Sequence, residues 1–347
     1  MNAICDERIA LLQGGRRQWW DVSTQQMVPA ATIYIPFGCP DWGETNGARN
    51  QLCTFCALPN SVREYRAAFY GGESIPDGDH TSLFAQTLCA VLAEGPVHTL
   101  AVFNAGSFLA MPPSVQEAVV REVASSGAVT RLVIEARAPL ITRDALAPLA
   151  AILDSAGVQL TVRVGVETQD DHLRLKVLKK GHSRGQLNLA AATMRELGVT
   201  SGGYVLLAPA PGLKREWAEE EARATIEWVL SPAGLCMDEV YFGATCVGPG
   251  TPLSLAWEAG EFAPPSLRSV CRVLGRVLPF HAGKVHLLPF ADEPAFLAVP
   301  SNHVPQGLPE SLEGALGCDR DFHRMFQIYR ETMDPRSLAD IPCSCAV

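Results

Sequence analysis

Short β-branched segments alternate with longer segments of helical periodicity along most of this chain, and this alternation restricts the folds that it can adopt. Strands are expected at residues 32–37, 98–104, 131–136, 159–166, 203–207 and 238–247, and helices at residues 82–94, 114–126, 143–156, 184–197, 214–230 and 266–278. Strands separated by helices of this length form a parallel sheet with right-handed crossovers. The six strand-helix units therefore predict an α/β fold, either a doubly wound sheet or a barrel that stops short of closing.

The pattern changes after the sixth unit. Residues 284–290 have the character of one further strand, and a Pro-rich segment and an amphipathic helix over residues 319–332 follow it. We therefore divide the chain into an N-terminal extension (1–29), a barrel (30–280) and a C-terminal extension (281–347). The C-terminal extension is expected to be an auxiliary-cluster region or a lid.

Composition and charge narrow the classes of function. The chain has 347 residues, of which 48% are hydrophobic, enough for a substantial core. No window has the roughly 18 continuous apolar residues of a membrane span, and Asp6 and Glu7 occupy the place where a secretory signal would be basic. We expect a cytoplasmic protein. The net charge of -9 argues against a surface that contacts many nucleic-acid phosphates, and the basic segment 174–180 is interpreted as a solvated helix face.

Three of the eleven cysteines, Cys39, Cys53 and Cys56, lie in a predicted loop behind the first strand. Three thiolates can hold three irons of a four-iron cluster and leave one iron open to a chelating ligand. A structural zinc site needs four ligands at close range, and no fourth Cys or His lies nearby in the sequence. Zinc and a redox dithiol remain as weaker alternatives. Cys89 and Cys271 fall in apolar segments and are expected in the core.

The cysteines beyond the barrel form a second candidate metal site. Cys318, Cys343 and Cys345 are expected to converge as ligands of an auxiliary iron-sulfur cluster, with Cys236 and Cys246 as further contributors. The alternative is that these are incidental thiols.

An ordered set of short segments follows the cysteine loop, at the ends of predicted strands or just beyond them. The segments are Asn104-Ala105-Gly106-Ser107-Phe108-Leu109, Glu135-Ala136-Arg137, Gly165-Val166-Glu167-Thr168, Lys180-Gly181-His182, Tyr204-Val205-Leu206-Leu207-Ala208-Pro209, Gly250-Thr251 and Pro264-Pro265-Ser266-Leu267. With the cysteines, they resemble the radical S-adenosylmethionine (radical SAM) superfamily, in the branch of the archaeosine synthase radical subunit and the Elp3-like enzymes. The resemblance covers residues 30–280. The usual spacing in the superfamily is Cys-x3-Cys-x2-Cys, whereas the first gap here is thirteen residues.

The resemblance implies a partial (β/α)6 TIM-type barrel with a C-terminal extension, a [4Fe-4S] cluster on Cys39, Cys53 and Cys56, and a site for S-adenosylmethionine (SAM). The cofactor-binding candidates are Asn104, Gly106, Ser107, Glu135, Arg137, Glu167, Tyr204 and Thr251. The first three are implied near the methionine amino group, and Glu135 with Arg137 near the ribose and the methionine carboxylate. Helix capping and a structural ion pair remain the respective alternatives. Residues 41–49 are expected to help close the cavity.

The resemblance also implies the reaction. An electron from a donor such as flavodoxin or ferredoxin would cleave SAM, and a 5'-deoxyadenosyl radical would abstract hydrogen from the substrate. Because the chain is acidic and has no room for an RNA-binding module, we expect a small substrate, a nucleoside or amino-acid derivative of specialised metabolism, with sulfur insertion or rearrangement as outcomes. The alternatives are a tRNA base-modifying enzyme that acts with a partner subunit, and an iron or redox sensor that retains the barrel.

Overall fold

One curled sheet organises the molecule. The computed structural model describes residues 3–39, 42–45, 48–51, 53–289, 296–303 and 317–338. The strands in this part of the chain are β1 (Gln13–Asp21), β2 (Gln26–Tyr34), β3 (Trp42–Thr45), β4 (Ala48–Gln51), β5 (Thr99–Phe103), β6 (Arg131–Ala136), β7 (Gln159–Glu167), β8 (Thr200–Leu207), β9 (Glu239–Ala244) and β10 (Val285–Leu287). Eight of them form one sheet in the order β1-β2-β5-β6-β7-β8-β9-β10, which is parallel from β2 to β10, whereas β1 runs antiparallel to β2. The predicted α/β class and partial TIM-type barrel are confirmed.

The six predicted crossover helices are all present. The α-helices of the described residues are α1 (Ala3–Leu12), α2 (Leu58–Tyr70), α3 (Asp77–Ala93), α4 (Pro113–Ser126), α5 (Arg143–Ser155), α6 (Arg184–Glu196), α7 (Arg215–Leu230), α8 (Pro252–Glu258), α9 (Leu267–His281) and α10 (Asp319–Thr332). Among these helices, the largest difference from a predicted start is at α3, which begins at Asp77 and not at residue 82. None of these helices combines the length and the apolar character needed to cross a bilayer.

Alternate residues of the parallel strands face opposite sides of the sheet. The outward face packs on the helices, and Val102, Val162 and Phe242 are fully buried there in the main hydrophobic cluster. The inward face lines a cavity and carries larger and more polar side chains. Cys271 packs against the core as expected, but the prediction for Cys89 is wrong, because this residue is exposed on the solvent side of α3.

Several elements were not predicted from the sequence. The N-terminal extension supplies the edge strand β1, and the segment interpreted as a long loop contains the antiparallel hairpin β3-β4. The Asn-Gly dipeptide at residues 46–47 is the sequence signal that favours such a hairpin. The side chains of residues 41–49 lie outside the described part of the structure, so their expected role in closing the cavity stays a prediction. The sheet thus includes strands on both sides of the predicted barrel boundaries, with β10 confirming the strand expected after the sixth unit.

Side chains span the open side of the half-barrel, between the edge strands β1 and β10. The Trp20 indole N–H donates to the carbonyl oxygen of Gly283 at 2.9 Å. Helix α10 contacts both edge strands, and the buried Tyr329 hydroxyl donates to the Val285 carbonyl oxygen at 2.6 Å. We call this contact region the seam. It closes the side of the barrel without extending the strand ladder.

A buried ion pair fixes the last residue of β1. Asp21 Oδ1 lies 2.8 Å from Arg131 Nη2, and both side chains are at most 5% exposed. Burial raises the pKa of Asp21, but the hydrogen bond from Ser23 and the charge of Arg131 outweigh burial, so the pKa is lowered overall. The pair joins the antiparallel edge strand to the first residue of β6.

Replacing Asp21 with Ala should lower the free energy of unfolding by about 3 kcal/mol, because Arg131 is left as a buried charge without its carboxylate. Chemical denaturation measures the loss. Glu117→Ala is the matched control, since it removes an exposed i,i+4 ion pair with Arg121 and should cost less than about 1 kcal/mol. The Asp21 contribution is present above the ordinary carboxyl pKa of 3.8 and is lost as the pH falls through the lowered folded-state pKa. Equal losses for the two variants would contradict this prediction.

Candidate active site

The three cysteines of the predicted cluster loop line one cavity at the carboxyl ends of the parallel strands. The cavity has a volume of about 560 Å³, and Cys39, Cys53 and Cys56 are each partly exposed. Cys39 follows β2, and the other two directly precede α2. The structure therefore brings together the thiols that the first gap of thirteen residues separates in sequence.

Backbone hydrogen bonds hold the Cys53–Cys56 segment in place. The Thr54 N–H donates to the Leu178 carbonyl oxygen at 3.1 Å, and the Leu253 N–H donates to the Thr54 carbonyl oxygen at 3.0 Å. The loop is thus attached to the connection after β7 and to the start of α8. Its position depends on residues more than a hundred positions away in sequence.

Arg174 fixes the connection after β7, which supports the cysteine segment. Its fully buried guanidinium donates to the carbonyl oxygens of Thr168 and His182 and forms an ion pair with Asp171. The interpretation of residues 174–180 as a solvated helix face is therefore wrong for Arg174, and also for the mostly buried Lys180. Arg174 is a structural cation inside a single π-helical turn.

Gly106 lets the loop after β5 approach the first cysteine. A Cβ atom on Gly106 would lie 2.4 Å from the Gly38 carbonyl oxygen and 2.7 Å from Cys39 Cα. Real Cβ contacts are never this short, so no other residue fits here without displacing the backbone beside Cys39. Gly106 also lines the cavity, as its predicted role in binding requires.

Burial makes thiolate formation costly in this loop, and the charge of Lys180 offsets part of that cost. Burial raises the pKa of Cys53, and burial and the neighbouring Cys53 raise the pKa of Cys56 to about 12. Thiolates are the form that binds iron, and a bound metal offsets the cost of ionising them. The charge of Lys180 lowers both thiol pKa values in part. Three soft, convergent thiol donors fit an iron-sulfur cluster.

Lys180 and Glu167 form an ion pair on the cavity wall. The Lys180 Nζ lies 2.6 Å from Glu167 Oε1, and both side chains are mostly buried. Burial lowers the pKa of Lys180, but Glu167 and Cys53 outweigh burial and raise it overall. Gly165 leaves space for the pair, since a Cβ there would lie 2.5 Å from Nζ. Glu167 has a left-handed φ of 62°, a strained conformation for a residue other than glycine.

Arg137 lies next to this pair and also lines the cavity. Its Nη2 donates to the Lys180 carbonyl oxygen at 2.8 Å, and its backbone N–H donates to Ser107 Oγ at 3.1 Å. His182 lines the same wall and is held neutral, because burial and the charge of Lys180 lower its pKa to about 3. The segment Lys180-Gly181-His182 is one of the motifs that carry the family resemblance, but Lys180 was not predicted as a site residue.

Three of the cofactor candidates have buried structural contacts and do not line the cavity. The Asn104 side chain donates to the Ser107 carbonyl oxygen, and Ser107 Oγ accepts from Arg137. Thr251 caps α8 in a capping box with Ser254. For Thr251 this structural contact corresponds to plain packing, the alternative to a cofactor contact at that position.

The deeper part of the cavity contains residues that were not expected. Arg163, Tyr241 and His286 line it together with the candidates Glu135 and Tyr204. The Tyr204 hydroxyl donates to Glu135 Oε1 at 2.5 Å. The available signal for Arg163 was a lone charge inside the otherwise apolar strand β7.

The auxiliary-cluster candidates are only partly covered by the structure. Cys318 is nearly buried beside His303 and Asp319, whose ligand atoms and the Cys318 thiol all lie within 4.8 Å of one another. Cys343 and Cys345 lie outside the described residues. Cys236 is exposed, whereas Cys246 lines the main cavity. A second cluster therefore stays a prediction.

Sequence comparisons identify relatives but no family model that matches the chain. Archaeosine synthase subunit beta of Methanosarcina acetivorans is 22% identical over 334 residues, which is 93% of this chain and 84% of that protein. Archaeosine synthase subunit beta of Thermococcus kodakarensis is 28% identical over 184 residues, 52% of this chain and 54% of that protein. The chain thus spans most of the first relative and about half the length of the second.

Two solved structures are similar at low identity. The Elp3 protein of Methanocaldococcus infernus has a TM-score of 0.48 and 17% identity over 60% of this chain and 51% of that chain. The queuine lyase of Clostridium spiroforme, bound to SAM and queuine, has a TM-score of 0.45 and 14% identity over 80% of this chain and 95% of that chain. TM-scores below 0.5 establish neither a shared substrate nor a shared site.

Gly106→Ala should abolish cluster assembly while the barrel stays folded, because the added methyl group displaces the backbone at Cys39. Iron content after anaerobic reconstitution measures the effect. Gly275→Ala is the matched control, since a Cβ at Gly275 meets no atom within 4 Å, and this variant should bind iron normally. Wild-type iron content in Gly106→Ala would show that the loop does not depend on this contact.

Proposed function

We propose that the chain is a radical SAM enzyme of the branch that includes archaeosine synthase subunit beta, and that it modifies a base of tRNA as the radical-generating subunit of a two-subunit enzyme. The observation that carries the proposal is the relationship to an archaeosine synthase subunit beta over 93% of the chain. The same relationship argues against the alternative of an iron or redox sensor.

Cys39, Cys53 and Cys56 would hold a [4Fe-4S] cluster, and the neighbouring strand ends would hold SAM. When bound, the cluster would supply the electron for reductive cleavage of SAM, which is the source of the radical chemistry. An electron donor of the flavodoxin or ferredoxin type fits this requirement. The convergence of three thiols on one cavity, beside a glycine that admits no Cβ, supports this assignment.

The cavity wall next to the thiols has the groups that an amino acid moiety requires. Arg137 and Lys180 provide cationic donors for a carboxylate, and Glu167 provides an acceptor for an ammonium group. The ion pair between Lys180 and Glu167 keeps the two charges balanced when the site is empty of ligand. These three residues would orient the methionine moiety toward the thiols.

The remaining lining would exclude water from the reactive position. Apolar and aromatic side chains from β1, β8 and the segment after β10 line the cavity, among them Trp19, Leu206 and Leu288. A mostly apolar wall protects reactive intermediates from solvent and from side reactions. The protein therefore contributes mainly geometry and shielding.

The acidity of the chain indicates how the work is divided between subunits. A net charge of -9 provides little attraction for a phosphate backbone, so a partner subunit would bind the tRNA and present the base to this cavity. The same acidity favours a second candidate, the small free substrate expected from the sequence. The relatives favour the tRNA base over that expectation.

The anaerobically reconstituted protein should convert SAM slowly to 5'-deoxyadenosine when dithionite is added without substrate. It should contain about four irons per chain, or about eight if Cys318 contributes to a second cluster. Cys39→Ala should lose about four irons and the product, whereas Cys89→Ala, on the exposed face of α3, should keep both. Chromatography of the reaction mixture gives the product yield. A colourless native protein that binds zinc and forms no 5'-deoxyadenosine would refute a radical mechanism.

Deleting the gene should change one modified nucleoside in the tRNA of the cell. The native gene should restore that nucleoside and the Cys39→Ala gene should not, because only the first carries the radical site. Mass spectrometry of digested tRNA from the three strains provides the measurement. Identical tRNA nucleosides combined with an altered small metabolite would favour the free-substrate candidate instead.

A further inference from the structure

A layer of polar and aromatic side chains crosses the inside of the half-barrel below the strand ends. We call it the inner belt, and it consists of Glu135, Arg163, Tyr204, Tyr241 and His286. Strand register places its members side by side, since Glu135 pairs with Arg163, and Tyr241 pairs with both Tyr204 and His286. All of them line the cavity. Arg163 precedes Glu167 by four residues on β7, about 13 Å deeper in the barrel by strand rise.

Arg163 occupies the centre of the inner belt in an unusual setting for a buried charge. Its guanidinium carbon lies 3.7 Å from the ring centre of Tyr241 and 4.6 Å from that of Trp19. Its Nη1 donates to the Tyr204 hydroxyl at 3.5 Å, a long hydrogen bond. Gly202, its register partner on β8, leaves the space that the Tyr241 ring occupies.

Not every N–H group of this guanidinium donates a hydrogen bond. Arg163 is 5% exposed, its buried Nε has no hydrogen-bond partner, and its Nη2 donates no hydrogen bond among the described residues. It also forms no ion pair with a carboxylate in the described part of the chain, since the two nearby carboxylates are engaged elsewhere. Glu135 accepts from Tyr204, and Glu239 accepts from Tyr241 and lies 2.9 Å from His286 Nε2. Buried donors without partners are costly, so this arrangement fits a residue that completes its hydrogen bonds with a ligand.

Stacking and the Tyr204 hydroxyl determine which groups remain for a ligand. A guanidinium stacked on aromatic rings presents its N–H groups at the edge of its plane, where they can meet a planar acceptor. The Tyr204 hydroxyl accepts a hydrogen bond from Arg163 and donates one to Glu135. It therefore lies between the Arg163 donor and the Glu135 acceptor, which do not bond to each other. The cavity wall therefore offers an N–H donor next to a carboxylate oxygen.

We propose that the inner belt binds the substrate base by its lactam edge, with Arg163 donating to the carbonyl oxygen and Glu135 accepting from the adjacent ring N–H. This inference rests on the proposed action on a base. Guanine and uracil carry such an edge, whereas adenine and cytosine present an amino donor and a ring-nitrogen acceptor. Glu135 then faces the substrate, and the ribose contact that the family resemblance implies falls to other residues.

A pair of matched ligands tests the inference on the holoprotein with SAM bound. Guanosine has the lactam edge, and 2-aminopurine riboside has the same ring size without the carbonyl oxygen or the ring N–H. Anaerobic equilibrium dialysis should show that the native protein binds guanosine at least about tenfold more tightly. Equal affinities, or binding of neither ligand at millimolar concentration, would overturn the inference.

Variants of Arg163 test whether this residue causes the preference for guanosine. Arg163→Met should lose most of the preference and keep only the part that comes from Glu135, and Arg163→Lys, which keeps the charge but loses the planar donor edge, should retain more of it. Arg121→Met, on the exposed face of α4, is the control and should keep the native ratio. Iron content and 5'-deoxyadenosine formation without substrate report whether each variant is folded. A native ratio in a folded Arg163→Met protein would contradict the role of Arg163.

The outcomes separate this inference from the proposed function. If the native protein cleaves SAM but does not distinguish the ligands, only the lactam recognition fails. If it does not cleave SAM at all, the radical mechanism itself fails, whatever the binding data show.

Discussion

The buried guanidinium of Arg174 is the constraint on which the site depends. By donating to two backbone carbonyl oxygens and pairing with Asp171, it gives the connection after β7 one conformation. That connection supplies the carbonyl oxygen that anchors the cysteine segment and carries Lys180 to the cavity wall. A fully buried cation is tolerated only when its donors are satisfied, so the same contacts that stabilise Arg174 also specify the geometry of the site.

The cavity has two chemically different halves. Near the strand ends, thiols and the Lys180–Glu167 pair provide charge and soft donors, and deeper in the barrel Arg163 and the tyrosines provide planar surfaces and directed hydrogen bonds. Parallel strands produce this separation directly, because inward residues two positions apart lie at successive depths. One set of strands therefore presents two chemically distinct linings at different depths of one cavity.

Periodicity was sufficient to predict the parallel strands and their helices, because apolar residues continue along the face of each strand that packs on the helices. It was insufficient for β1, whose sequence Gln13–Asp21 mixes glycine, arginine and tryptophan and pairs as an edge strand. Spacing and family resemblance predicted the three cysteines and Glu167, which line the cavity. The partners of Arg163 and Arg174 could not be predicted from the sequence, because they depend on register and on a turn that only the fold defines.

At the seam, the width of the half-barrel depends on side chains and not on a strand ladder. Between β1 and β10 the wall is made of the Trp20 indole, the backbone at Gly283 and helix α10, so widening the interior there breaks no ladder hydrogen bond. A closed barrel has a radius set by strand number and stagger, whereas here the radius follows from the size of a few side chains. Substitutions at the seam should therefore change the volume available to a substrate. The cysteine loop lies at the opposite, carboxyl ends of the strands and should keep its shape.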